Sequence, residues 1–385
     1  MTFWIQHGYG KGDKITRLAS SDAAPAGVIL SPSSESDTQL PSTSQLCDQA
    51  GLRVLLDPET YVYSIDGADG KKHDHHGLDV GAIHWSDAPR RMQAVVESVL
   101  AVNETFNTHA VISPTPFQSS LADGWASMSL QLARATLDSA TKPVFASVVA
   151  DASAFADWRA VEDWLDAFTT LDVAGVYLIT AWEGSSYPNI WDQDVLCNIF
   201  RALHRLSVLN GYEVLWGYSD IAGIAGLGAG ADGAAAGWYL SLRHWTRDKW
   251  IPRDGGRQSA PRVMSAPLMS PLLAMGEADV ASGSRIGPNL YPDASVRQAL
   301  ARNSWGVTDA WYQHLEVLAE MAAAIEEHSA RVGDRMELVL GWMEAAEDWL
   351  VQLEDMGVAV QAVHRSRLGV LRHALLRCAQ EERIL

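Results

Sequence analysis

The sequence has few cysteines and no pattern that would pair them. Only Cys47, Cys197 and Cys378 occur in 385 residues, and none of them belongs to a CxxC spacing. Neither a disulfide framework nor a cysteine zinc site is therefore supported. A Gly-x-Ser-x-Gly elbow is also absent, and no cysteine carries a recognisable nucleophile signature, so acyl-transfer chemistry has little support.

Long apolar runs and positive charge are scarce as well. No stretch approaches the ~20 apolar residues that span a bilayer. Met1 is not followed by a basic segment and an apolar core of the kind that directs secretion, so we expect a cytoplasmic protein with no membrane partner. The formal net charge is −18. Broad attraction to nucleic acid is not expected at that charge, so nucleic acid could bind only at a local basic patch.

What the chain does have is the composition of a folded globular protein. Hydrophobic residues make up 48% and charged residues 20% of the sequence, which is typical of such proteins. The length suits one large domain with an appendage or two ordinary domains. Fifteen tryptophans are present, and indole rings either fill a large core or stack on sugars and bases.

Short apolar strands alternate with polar turns and amphipathic helices through most of the chain, which predicts an α/β fold with a parallel sheet. The predicted strands cover residues 27–30, 53–56, 109–112, 143–149, 175–180, 213–217, 234–240 and 262–266. Eight such units favour a (β/α)8 TIM-like barrel, with a doubly wound open sheet as the alternative. Residues 3–6 could add a ninth strand.

Beyond Gly287 the pattern changes to that of long helices. Trp311, Leu315 and Leu318 follow steps of four and three, as on one face of a helix. We therefore predict a barrel domain over residues 1–287 and a C-terminal α-helical domain over residues 288–385, which could pack on the barrel, form an oligomer or bind another protein. The last helix carries the best-clustered cations of the chain, namely Arg365, Arg367, Arg372 and Arg377.

In a barrel of this kind the active face is built from residues that follow the strands, and here those residues are repeatedly polar. Carboxylates stand after several predicted strands, namely Asp57, Asp151, Glu183 and Asp220. Two carboxyl groups in unlike surroundings can divide the roles of acid and base between them. The alternative interpretation is that each acid caps the helix that follows it.

These residues predict an enzyme that uses paired carboxylates on a glycosidic or N-glycosidic bond of a sugar, nucleoside or nucleic-acid substrate. Glu183 beside Trp182 is the predicted proton donor, and Asp220 or Asp151 near Arg243 the ionised base or nucleophile. The candidate substrate-binding residues are Tyr61, Trp182, Tyr218, Arg243, His244 and Trp245. A noncatalytic barrel, serving as a subunit of a bacterial nucleic-acid-processing or defence assembly, is an alternative.

A histidine-rich stretch in the long second βα loop gives a third hypothesis. Its potential ligands are Asp74, His75, His76 and His84. Imidazole and carboxylate ligands suit zinc, manganese or iron, so a metal-dependent hydrolase with a divalent ion is conceivable. The sequence firmly implies no cofactor.

The segment between residues 143 and 245 also has a distinctive order of motifs. They are Phe145-Ala-Ser-Val-Val, Leu171-Asp-Val-Ala-Gly-Val-Tyr, Gly217-Tyr-Ser and Gly230-Ala-Asp232. In this order the segment distantly resembles the TIM barrel of tRNA-guanine transglycosylases and related base-exchange proteins, which implies a barrel. The family's nucleophilic aspartate would fall in Gly233-Ala-Ala-Ala-Gly237, which has no acid, and its cysteine-rich zinc motif is absent.

Overall fold

The fold was analysed on a computed structural model that describes residues 1–10, 13–68, 76–78, 88–184, 187–251 and 259–385. Its main sheet is parallel. The strands are β1 (Thr2–Gln6), β2 (Gly27–Leu30), β3 (Arg53–Leu56), β4 (Val111–Ile112), β5 (Phe117–Gln118), β6 (Val144–Asp151), β7 (Gly175–Ala181), β8 (Glu213–Gly217) and β9 (Gly233–Ala236).

The sheet is closed into a barrel. Its strand order is β3-β2-β1-β9-β8-β7-β6-β4, with β5 paired to the end of β6, and the first and last of these strands in sequence, β1 and β9, lie side by side. The amide of His109, just before β4, donates to the carbonyl of Val54 in β3 at 2.7 Å and joins the two ends of the sheet. The predicted (β/α)8 barrel is thereby confirmed, and the open doubly wound sheet is excluded.

The optional strand at residues 3–6 is present, whereas the last predicted barrel strand is not part of the barrel. Residues 3–6, treated as an optional ninth strand, belong to β1, which pairs with both β2 and β9 inside the barrel. The predicted last barrel strand is β10 (Arg262–Ser265), which instead pairs antiparallel with β11 (Ser270–Leu273) in a separate hairpin. The reason is the short link between them, because a parallel partner needs a crossover of a dozen or more residues.

The strands form because their apolar runs can be buried on both faces. Every residue of β6 and of β7 is buried, as expected for parallel strands with helices outside and side chains within the barrel. The helices around the barrel are α1 (Lys14–Ala19), α2 (Gln39–Gln49), α3 (Ala88–Glu104), α4 (Gly124–Ser139), α5 (Trp158–Phe168), α6 (Gln193–His204) and α7 (Asp220–Ala229).

The C-terminal part is helical, as predicted. Its helices are α8 (Asp279–Gly283), α9 (Gly287–Leu290), α10 (Ala294–Ala301), α11 (Val307–His328), α12 (Val332–Asp355) and α13 (Ala362–Glu381). The last three long helices pack against β1, α7 and α6, and their buried side chains join the hydrophobic core of the barrel. Within the described residues, no helix has the length and apolar character needed to cross a membrane.

The predicted basic cluster on α13 does not form a free cationic surface. Arg367 is buried and donates to the Met269 carbonyl and the Ser270 hydroxyl. The other three arginines pair with carboxylates, namely Arg365 with Glu354, Arg372 with Glu347 and Arg377 with Asp194. Because each charge has a partner in the fold, this helix offers nucleic acid no basic patch.

Candidate active site

All four predicted carboxylates lie at the carboxyl-terminal end of the barrel. Asp57 follows β3, Asp151 ends β6, Glu183 follows β7, and Asp220 opens α7 after β8. The barrel does not gather them at one point. Their hydrogen bonds place them in three separate groups, of which one borders an open cavity.

Asp151 and Glu183 form the group at the cavity. The Nη2 atom of Arg247 donates to Asp151 Oδ2 at 2.5 Å and to Glu183 Oε1 at 3.0 Å. All three residues line a cavity of about 770 Å³, which we call the Asp151 cavity. Its volume lies in the range of small-molecule sites. The two carboxylates are therefore neighbours across one guanidinium, with room for a ligand beside them.

The two carboxylates have unlike surroundings. The side chain of Asp151 is 4% exposed, whereas that of Glu183 is 72% exposed. Burial raises the pKa of Asp151, although the Arg247 guanidinium acts in the opposite direction. Asp151 Oδ1 is buried and has no hydrogen-bond partner in the described part of the chain. Glu183 is therefore the exposed member of the pair, because β7 ends at Ala181 and Glu183 lies beyond it.

Aromatic rings surround this pair. Phe117 stacks on Trp245 with ring centres 5.4 Å apart, and the guanidinium of Arg247 lies 5.1 Å from the Phe117 ring. Trp182 and His244 both line the cavity, with their rings 5.7 Å apart. Burial lowers the pKa of His244 to about 4, so its ring is neutral at pH 7. Trp245 is fully buried beneath Phe117, so it supports the cavity rather than facing a ligand.

Asp57 belongs to a second group, inside the barrel. Its Oδ2 accepts from the hydroxyls of Tyr61 at 3.0 Å and Tyr177 at 3.3 Å, and its Oδ1 accepts from the Glu59 amide at 2.9 Å. Burial, followed by the nearby Glu59 carboxylate, raises the pKa of Asp57 to about 7. Asp57 is thus a buried carboxyl that exchanges a proton near neutrality.

This second group is covered from above. Lys249 donates to the Tyr218 hydroxyl at 3.1 Å, and the Tyr61 ring contacts Trp245 and Trp250 edge-on. Burial lowers the pKa of Lys249. Because Tyr61 and Tyr218 are buried, a substrate has no access to them or to Asp57 in this conformation.

Asp220 forms the third group. His314 Nε2 lies 2.6 Å from Asp220 Oδ1, and the Tyr187 hydroxyl donates to Asp220 Oδ2 at 2.9 Å. Burial opposes ionisation of Asp220, yet His314 and Arg243 overcome it and hold the pKa well below its usual range. Asp220 lies near Arg243 as predicted. It is not paired with Glu183, so the predicted Glu183–Asp220 couple is not formed.

His314 is itself neutral in this group. Burial lowers its pKa to about 4, so at pH 7 an ionised Asp220 faces a neutral imidazole that can donate its Nε2 proton. The Tyr187 hydroxyl also accepts from Arg243 at 3.4 Å. These contacts tie the start of α7 to α11 and account for a structural role of Asp220.

Most of the predicted metal ligands are not described by the structure. Asp74, His75 and His84 lie outside the described residues. His76 is described, and its Nε2 lies 2.8 Å from the Glu35 carbonyl oxygen. No group of three or more His, Cys, Asp or Glu side chains in the described ranges is arranged to hold a metal ion.

Several residues of these groups escaped the sequence analysis. Arg247 and Lys249 follow Arg243 in the segment after β9. Their position after a barrel strand could have marked them as candidates for the active face. Glu59 stands two residues beyond Asp57 and could have been found in the same way. His314 lies on α11, and nothing near it in sequence indicates that it meets Asp220.

Comparisons with known proteins add only a distant structural similarity. No family model and no curated protein matches the sequence. Among solved structures, the chain is similar to the catalytic domain of the GH26 endo-β-1,4-mannanase of Bacillus sp. JAMB-750, with a TM-score of 0.39 and 14% identity, over 82% of this chain and 90% of that one. The resemblance to tRNA-guanine transglycosylases is not shown by these comparisons. The chemistry of the chain must therefore be argued from its own residues.

Proposed function

We propose that this protein is an enzyme that cleaves or transfers a glycosidic bond in the Asp151 cavity. The observation that carries the proposal is the Arg247 nitrogen shared by Asp151 and Glu183. Because both oxygens contact one nitrogen, they are at most about 5.5 Å apart, which agrees better with the ~5–5.5 Å carboxyl separation of retaining glycosidases than with the ~6.5–9.5 Å of inverting ones. The pair stands at the end of the barrel where active sites of this fold are built.

The surroundings of the two carboxyl groups assign their roles. Asp151 is the proton donor, since burial raises its pKa and favours the protonated form. Glu183 is the nucleophile, since its exposed side chain reaches the cavity. This order reverses the roles predicted from the sequence, in which Glu183 was the donor.

The reaction then proceeds in two steps. Glu183 attacks the anomeric carbon as the bond to the leaving group breaks, and Asp151 gives its proton to the departing oxygen or nitrogen. In the second step Asp151 takes a proton from water or from an acceptor hydroxyl, which attacks the same carbon and releases Glu183. Every proton taken up is returned, and Asp151 ends the cycle protonated.

The lining of the cavity suits a polyhydroxylated substrate. Ser64, Ser119 and Thr246 border it and supply hydroxyl groups that both donate and accept hydrogen bonds. Trp182 and Trp125 add indole rings to the same lining, and such rings pack against the apolar faces of sugars. A sugar or nucleoside is therefore the substrate class that we propose.

The test is a pair of isosteric variants, Asp151→Asn and Glu183→Gln, assayed against panels of glycosides and nucleosides. We expect either change to lower turnover by ~10²–10⁴-fold, the contribution of a positioned acid, base or nucleophile. The matched control is Glu354→Gln, because Glu354 is 70% exposed and bonded to Arg365 at 2.9 Å, much as Glu183 is to Arg247. Wild-type turnover in both site variants would overturn the proposal, as would the lack of turnover on every substrate.

A further inference from the structure

A second cavity lies on the other side of the segment that follows β9. Its volume is about 460 Å³, and its lining includes Trp238, Tyr239, Arg243, Arg262 and Trp311. We call it the arginine cavity. It is separate from the Asp151 cavity, because Arg243 faces the arginine cavity while its neighbour His244 lines the other one.

Arg243 enters this cavity without a carboxylate bonded to it. It is only 4% exposed, and its guanidinium donates to the Gly237 and Trp238 carbonyls and to the Tyr187 hydroxyl. All three acceptors are neutral oxygens at 3.3 Å or more. Arg243 therefore has no directly bonded carboxylate, although the Tyr187 hydroxyl links it to the ionised Asp220.

Arg262, like Arg243, has no carboxylate bonded directly to it in the described part of the chain. Its guanidinium donates at 3.0 Å to the carbonyls of Pro271 and Tyr187, which are again neutral. Within the described ranges, neither arginine lies within salt-bridge distance of a carboxylate. Glu277 acts on Arg262 only at longer range, and burial lowers the pKa of Arg262. Two guanidinium groups thus line one cavity with only neutral hydrogen-bond acceptors around them.

Aromatic rings line the cavity as well, and a third cation lies beside two of them. Lys14 Nζ lies 5.2 Å from the Trp238 ring centre and 5.0 Å from that of Trp311. The Tyr239 ring meets Trp311 edge-on at 5.0 Å. Both Tyr239 and Trp311 are partly exposed, so their rings are within reach of a ligand. The lining of the cavity therefore combines positive charge with aromatic surface.

This combination favours an anionic ligand in the cavity. Removing a guanidinium from water without a counter-ion is unfavourable, and a chain of net charge −18 has carboxylates in excess that could have served. Arginine pairs match the geometry of phosphate oxygens, and Trp and Tyr rings stack on planar bases. Asp220 acts on Arg243 without bonding to it directly, and the buried Arg367 adds a further positive charge that acts on Arg262.

We propose that the arginine cavity binds a nucleoside monophosphate, with the phosphate on Arg243 and Arg262 and the base against Trp311 and Tyr239. A volume of about 460 Å³ is sufficient for a base, a sugar and one phosphate. The site is independent of the reaction proposed for the Asp151 cavity.

The test is calorimetric titration of the full-length protein with AMP, GMP, CMP and UMP, and with adenosine and inorganic phosphate for comparison. We expect at least one monophosphate to bind at least about 10-fold more tightly than adenosine or phosphate alone, because only it uses both halves of the cavity. Failure of all four monophosphates to bind at millimolar concentration would overturn the proposal.

Two variants locate the binding. Arg262→Gln should weaken binding of the monophosphate by about 10-fold or more, since it removes a charge-assisted contact. Trp311→Leu should weaken the monophosphate and leave inorganic phosphate unchanged. Arg331→Gln, at an arginine that is 84% exposed, is the control and should change neither. Unchanged affinity for the monophosphate in both cavity variants would contradict a site in the arginine cavity. Circular dichroism shows whether each variant is folded, and if one is unfolded, the affinity of the other variant is the test.

Glu183→Gln separates this inference from the proposed enzymatic function. It should bind the monophosphate with wild-type affinity, because Glu183 lies in the other cavity. Loss of binding in that variant would place the nucleotide in the Asp151 cavity and refute a separate site. If Glu183→Gln loses turnover but still binds the monophosphate, both proposals are supported. If the wild-type protein binds the monophosphate but turns over no substrate, only the nucleotide site is supported.

Discussion

The hydroxyl of Tyr177 on β7 lies 3.3 Å from the carboxylate oxygen Oδ2 of Asp57, which follows β3. The two strands are thereby linked across the interior of the barrel. The same hydroxyl lies 3.2 Å from Gln6 Oε1 at the end of β1, so three strands meet at one polar point. Because the Asp57 carboxyl group is buried at this point, its protonation state affects the contacts between these strands. The stability of the barrel should therefore depend on pH.

The first prediction concerns this pH dependence. The folded-state pKa of Asp57 is raised to about 7, whereas its ordinary value is 3.8, so the folded protein holds a proton that the unfolded chain releases. The stabilisation is complete below about pH 4 and is lost as the pH rises through about 7. Asp57→Asn should remove this contribution. Urea unfolding of both proteins between pH 4 and 8 tests it, and a difference in unfolding free energy that does not change with pH would contradict it.

The second prediction concerns the space that Tyr177 occupies. A Cβ atom at Gly217 would lie 2.8 Å from the edge of the Tyr177 ring, so Gly217→Ala forces the ring away from Asp57. We expect a loss of about 1–3 kcal/mol of unfolding free energy from this overpacking. Gly341→Ala is the matched control, because nothing lies within 4 Å of its added Cβ on α12. That change should be neutral or stabilising by up to ~1 kcal/mol. Equal midpoints for the two variants in chemical unfolding would refute the prediction.

Much of the barrel could be predicted because its signals are local. A buried parallel strand such as β7 is a continuous apolar run, and the residue after it stands at the active face whatever the rest of the chain does. The errors arose where the choice of partner decides the structure. Val263 and Met264 of β10 are buried like the residues of a barrel strand, yet the short link to β11 leads to an antiparallel hairpin.

The grouping of the site residues could not be predicted for a similar reason. Asp151, Glu183 and Asp220 were all placed at the correct end of the barrel, yet their partners come from distant segments. His314 reaches Asp220 from α11, at a separation of 94 residues, and Arg247 bridges Asp151 from 96 residues away. Because side-chain direction after a strand changes with a shift of one residue, exposure of Glu183 could not be read from its neighbours.

The third prediction tests the coupling between Asp220 and His314. Removing the imidazole takes one hydrogen-bond donor, 2.6 Å away, from a buried carboxylate, so His314→Ala should cost about 1–3 kcal/mol of unfolding free energy. Asp220→Asn in the same background removes the uncompensated charge and should recover part of that loss. A double-mutant cycle in urea measures the coupling. Additive effects of the two changes would show that the residues do not act as a pair.

The last prediction concerns Arg247, which we infer to be a positioning residue. Its guanidinium lowers the pKa of Asp151 against the larger effect of burial, so Arg247→Gln should raise that pKa further. A proton donor with a higher pKa stays protonated to higher pH. The alkaline limb of the kcat/KM profile should therefore move to higher pH, and the maximum of kcat/KM should be lower. Arg247→Lys keeps a charge and should shift the limb less. A purely structural role predicts lower activity with an unchanged profile, and that result in both variants would remove Arg247 from the mechanism.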